Sequence, residues 1–148
     1  MGFTMRSFFI MSVGVLLTLT ALAKLLTAFA GSPVVYQHDP ILGLQFHHEF
    51  LAIGAVEMAI ACVCLFTRRA NLQLGLVVWL STSFAVYRFG LWLVGIDTCP
   101  CLGNFSDAIH LSKTSANAIT IGILAYFLIG SYIGLINKWM RKPVKPLE

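Results

Sequence analysis

Cys99-Pro100-Cys101 puts two thiols one residue apart in a short segment between two long apolar runs. A disulfide joining them would close a very small ring, and Pro100 fixes its own φ and lacks an N–H. Disulfides held away from relaxed geometry store strain and are easier to reduce. Such a pair suits an oxidant or an electron relay better than a structural staple. Gly103, two residues on, lets the backbone turn where a side chain would obstruct it. The other readings of the tripeptide are two unconnected thiols or a metal site. Two sulfurs and His110 supply too few ligands for tetrahedral zinc, so no metal is expected.

Three charged residues interrupt the apolar runs: Lys24, Glu57 and Arg88. A charge at mid-bilayer costs at least about 2.5–3.5 kcal/mol, so such residues face a bundle interior and take partners. Counted from one membrane face at 1.5 Å per residue, Lys24 lies about 9 Å deep, Arg88 about 12 Å and Glu57 about 15 Å. The three can therefore meet at similar depth beneath the cysteine segment. One carboxylate with two cations leaves a positive site, suited to an anion, a thiolate or a quinone oxygen. Helical spacing sets Thr20 and Thr27 beside Lys24, Gly54 and Ala61 beside Glu57, and Ser81 and Ala85 beside Arg88. The alternative is that these charges only hold the bundle together, with Lys24 extending its head to the interface.

The elements that must position these groups follow from composition. Of 148 residues, 58% are hydrophobic and 11% charged. A soluble domain carries about 25% charged residues, so lipid is the expected solvent. Four windows reach the roughly 20 apolar residues a membrane helix needs: about 7–30, 47–66, 72–96 and 115–136. The expected fold class is all-α, an integral membrane four-helix bundle forming a single membrane domain over 1–148. In the last helix Gly130 and Gly134 stand at GxxxG spacing.

The net charge of +4 does not call for nucleic acid, because the basic residues are segregated. Arg6, Arg68, Arg69, Lys138, Arg141, Lys142 and Lys145 fall on one side of a four-span chain. Positive residues stay cytoplasmic, so both termini are expected inside, in a bacterial inner membrane. The cysteine segment then faces an oxidising compartment, where disulfides persist. A rival reading takes the first run, ending in Ala28-Phe29-Ala30, as a cleaved signal peptide. Lys24 so near the site is atypical of a signal.

Cys62 and Cys64 form a second C-x-C, but within a helix residues two apart point about 200° from each other. They are expected to remain free thiols acting as small hydrophobes. His47, His48 and Glu49 open the second helix and read as interfacial polar caps; His38 and His110 lie in the flanking loops. Asn104-Phe105-Ser106 is a glycosylation sequon only in a eukaryotic secretory pathway.

The four spans, the lysine in Ala21-Leu22-Ala23-Lys24-Leu25, Glu57, Arg88 and Cys99-Pro100-Cys101-Leu102-Gly103 together resemble the MauE branch of the DoxX-like membrane proteins. That resemblance covers nearly the whole chain, and the C-x-C-x-G segment is its most specific part. MauE proteins are associated with methylamine utilisation and with maturation of a disulfide-rich enzyme subunit. Family members often carry a small residue between the cysteines, where this chain has Pro100. The resemblance implies a redox accessory role, in which Cys99 or Cys101 exchanges disulfides with an extracytoplasmic partner. Lys24, Glu57 and Arg88 would then stabilise the thiolate or hold an electron acceptor such as quinone. The competing functions are a non-catalytic membrane scaffold or chaperone with incidental cysteines, and a small channel or transporter.

Overall fold

The computed structural model describes residues 5–30, 33–67, 69–96 and 112–140. Cys99, Pro100, Cys101, Gly103, Asn104 and His110 lie outside the described residues, as do Arg68, Arg141, Lys142 and Lys145. Within the described residues the chain is helical, with no named strand. The helices are α1 (Met5–Phe29), α2 (Phe46–Phe66), α3 (Ala70–Leu93) and α4 (Lys113–Met140), and a 3-10 turn covers Pro33–Tyr36. Each long helix is apolar and long enough to cross a membrane. The shortest has 21 residues, about 31 Å at 1.5 Å per residue, which matches the hydrocarbon thickness.

The surface differs from that of a water-soluble bundle. Lys24, Asp39, Glu49, Glu57, Gln73, Ser81 and Ser131 are buried. Leu26, Phe29, Phe66, Trp79, Phe89 and Trp139 are exposed. An apolar exterior, with the charged and polar side chains turned inside, is stable when the solvent is hydrocarbon. Hydroxyls within the helices turn back to the backbone: Thr18 donates to the Gly14 carbonyl at 2.8 Å, and Ser131 to the Phe127 carbonyl at 2.5 Å.

Two local devices set the helix ends. Gly95 adopts φ 80°, its N–H bonds the Trp92 carbonyl, and the Ile96 N–H bonds the Leu91 carbonyl. This is a Schellman cap, and it ends α3 at Leu93, short of the 72–96 window. A hydropathy window registers apolar residues, not a left-handed glycine. At the opposite end, the buried Gln73 amide donates to the Thr67 carbonyl at 2.5 Å and to that of Cys64 at 3.0 Å. It satisfies carbonyls left open where α2 stops and pins the tight turn into α3.

The helices alternate in direction, so α1 and α3 end where α2 and α4 begin; this is called the upper end below. The main contacts are α1 with α2 and α3 with α4. Glycine allows the first of these to be close. A Cβ at Gly54 would stand 3.1 Å from Leu25 and 3.5 Å from the Ala21 carbonyl oxygen. The apolar core includes Val13, Leu17, Ile60, Ala61, Val77, Leu80 and Phe127, drawn from all four helices. Cys62 is exposed, Cys64 is buried, and both are free thiols.

Candidate functional site

Lys24 projects from the last two turns of α1 and Glu57 from the middle of α2, one turn beyond Gly54. Lys24 Nζ lies 2.6 Å from Glu57 Oε1, and the residues are 5% and 1% exposed. Among the described residues this is the one ion pair. The ammonium also stands 5.5 Å from the centre of the Phe84 ring on α3, a cation–π contact. Glu57 Oε2 is buried and lacks a hydrogen-bond partner among the described residues.

Arg88, on α3, is not part of that pair. Its Nη2 donates to Asn117 Oδ1 on α4, while its buried Nη1 has no partner among the described residues. The guanidinium therefore ties α3 to α4 just below the ends that the cysteine segment, residues 97–111, connects. Of the three charges expected to meet, Glu57 pairs with Lys24, and among the described residues Arg88 bonds Asn117 instead.

Between the α1/α2 and α3/α4 pairs lies a cavity of about 440 Å3. Lys24, Glu57 and Arg88 all line it, with Glu49 and Tyr87 as further titratable groups. The rest of the wall is largely apolar, with Phe50, Val56, Trp79, Ile123 and Phe127 among the lining residues. Cavities of about 300–1,000 Å3 with apolar walls and a few convergent polar groups are the usual form of small-molecule sites.

The chain matches no family model, no curated protein and no solved structure. Its own geometry must carry the functional argument.

A second polar cluster sits at the upper end, and sequence reasoning missed it. Asp39 is 2% exposed although it belongs to the loop between α1 and α2. Its Oδ1 accepts the N–H groups of Ile41 at 2.6 Å and Leu42 at 2.8 Å, an Asx turn. Its Oδ2 accepts the Tyr87 hydroxyl from α3. Burial by itself raises the Asp39 carboxyl, but the Tyr87 hydroxyl, the Leu42 and Ile41 N–H groups and a hydrogen bond with Glu49 outweigh it. The carboxyl is held below the ordinary value of 3.8.

Glu49 was expected as an interfacial cap. The structure buries it to 6% exposure, in hydrogen-bond contact with Asp39 and on the cavity wall. The reason is its position on α2: Glu49, Ile53 and Glu57 follow an i, i+4, i+8 stripe that faces the cavity. That spacing was the available signal. Asp39 carried none, because its burial at the upper end follows from the path of the loop, closed by the His38–Gln45 bridge. His47 and His48 stand on the first turn of α2, with ring centres 5.4 Å apart, edge to face. Among the described residues no group of three metal-ligating side chains converges.

Proposed function

We propose that this protein is a membrane thiol–disulfide accessory protein of MauE-like type, acting in a bacterial inner membrane with both termini cytoplasmic. Cys99 and Cys101 exchange disulfides with an extracytoplasmic protein, assisting its disulfide formation or maturation. The cavity between the helix pairs holds a lipid-soluble electron acceptor of the quinone class. The observation that carries this reading is the cavity between the helix pairs, with Lys24, Glu57 and Arg88 in its wall. Arg88 is eleven residues before Cys99, and its partner Asn117 opens the helix that follows the cysteine segment.

The electron balance is simple. Two thiols lose two electrons and two protons and become a disulfide; a quinone that gains both becomes a hydroquinone. On the protein side, exchange with a partner passes through a mixed disulfide, and the attacking species is the thiolate. Nearby cations raise the thiolate fraction, a role open to Arg88, which has no carboxylate within ion-pair distance among the described residues. Lys24 is neutralised by Glu57, so its part is to fix the cavity wall.

Trapping tests the proposal. Cys101→Ser or Cys99→Ser should give a reducible adduct of higher mass in native membranes, since the resolving thiol is gone. Cys62→Ser and Cys64→Ser should give none. Arg88→Gln should slow exchange in protein that still folds. If the double Cys99→Ser, Cys101→Ser variant supports its pathway as well as wild type, the redox reading is wrong and a scaffold role replaces it.

A further inference from the structure

The Asp39–Glu49 contact is not used by the disulfide exchange described above. Asp39 and Glu49, both buried, are in side-chain hydrogen-bond contact, and among the described residues neither forms an ion pair with a cation. Two carboxylates in contact repel each other, and a hydrogen bond between two carboxyl groups needs a proton on one of them. Asp39 already accepts three donors: the Ile41 and Leu42 N–H groups and the Tyr87 hydroxyl. Those donors favour its ionised form, so the shared proton belongs on Glu49. The remaining oxygen of Glu49, Oε1, is buried without a partner in a residue that lines the cavity.

We propose that Asp39 and Glu49 form a one-proton carboxyl pair at the upper mouth of the cavity, and that Glu49 delivers its proton to the oxygen of a carbonyl ligand bound there. The delivery step rests on the acceptor reading above; the proton pair itself does not. When an electron pair from the thiols reaches a quinone, two protons must join its oxygens. Glu49 supplies one: its O–H bond breaks, the ligand O–H bond forms, and Glu49 is left as carboxylate beside Asp39. Repulsion between the two carboxylates then draws a proton back onto the pair from water at the upper end, and the cycle repeats for the second oxygen. Oxidation of Cys99 and Cys101 releases two protons in the segment joining the upper ends of α3 and α4. The reaction therefore carries no net proton across the membrane.

Among the described residues the charged and titratable groups around the pair are few. Tyr87 and Arg88 stand on α3, Lys24 on α1, Glu57 further down α2, and His47 and His48 on the first turn of α2. His38 precedes Asp39 in the loop. The α4 residues on the cavity wall, Thr120, Ile123, Leu124 and Phe127, do not titrate.

Infrared spectroscopy of the full chain in lipid nanodiscs tests the pair directly. At neutral pH the wild type should show a carboxylic-acid C=O band that shifts with 13C-glutamate labelling and is lost in Glu49→Gln. Addition of decylubiquinone should move that band in the labelled wild type, a measurement that needs no variant. Quinone reduction by the dithiol should fall roughly 100-fold in Glu49→Gln, the low end of general-acid contributions, while decylubiquinone binding, read by tryptophan quenching, persists. No glutamic-acid band at neutral pH overturns the pair. A band that ignores bound decylubiquinone, or a Glu49→Gln variant that reduces it at the wild-type rate, overturns proton delivery. A band present in protein that does not bind decylubiquinone supports the pair and removes the acceptor reading instead.

Discussion

The Lys24–Glu57 centre and the Asp39–Glu49–Tyr87 cluster meet the same difficulty in different ways. Each buries carboxyl groups in an apolar bundle. At the first, an ammonium 2.6 Å away compensates the charge. At the second no ion pair forms among the described residues; the compensation comes from an Asx turn and a tyrosine hydroxyl, together with the proton proposed to be shared by the two acids. Pairing by opposite charge compensates both groups without a shared proton. Compensation by donors and a shared proton depends on pH and can move a proton. The difference separates a fixed part of the cavity wall from an exchangeable one.

The sharpest way to break that contrast is to remove one member of the ion pair. Glu57→Gln leaves the Lys24 ammonium buried and uncompensated, which should cost about 3–5 kcal/mol. Reversible unfolding in bicelles would measure it. Glu49→Gln should cost markedly less, because an amide replaces a protonated carboxyl with little change in charge. Equal losses for the two variants would mean that Glu49 is also ionised, and the contrast would collapse.

Tyr87→Phe comes next. It deletes one donor to a buried carboxylate, and hydrogen bonds to charged groups contribute about 1.5–3 kcal/mol. The same unfolding measurement should show that loss, with α1 and α2 still paired through Lys24 and Glu57. A loss under about 0.5 kcal/mol, the range of neutral surface substitutions, would show that the Tyr87 hydroxyl does not hold Asp39 in the folded protein.

The smallest expected effect is the acid limb. Because folding lowers the Asp39 carboxyl below 3.8, its contribution is complete above that value. It fades as pH falls from there through the lower folded value, since protonation removes the charge that the donors stabilise. Asp39→Asn should flatten this part of the stability curve relative to wild type. An unchanged acid limb in Asp39→Asn would show that Asp39 does not titrate differently on folding.

The four apolar spans and the common level of Lys24, Glu57 and Arg88, which line one cavity, were legible in the chain, because each follows from local counts. Sparse charge and four apolar windows of about 20 residues leave few other folds. The small residues beside Glu57 marked the face through which α1 approaches, and Gly54 stands 3.1 Å from Leu25 by the Cβ measure. Helix ends were less legible: α3 stops at Leu93 because Gly95 takes a left-handed φ, and α4 extends over Lys113–Met140 because helical hydrogen bonding continues past the apolar window. The residues flanking Cys99 and Cys101 were readable only as a spacing.

What the sequence by itself determined is therefore the set of spans and the residues that must turn inward, since a charged side chain facing lipid is too costly wherever the helices pack. What only the tertiary structure decided is who meets whom. Depth along a helix follows from residue number, but rotation about the axis and the path of a loop depend on packing among all four helices. That packing gave Glu57 to Lys24 rather than Arg88, gave Arg88 to Asn117, and folded the loop so that Asp39 lies against Glu49 and Tyr87.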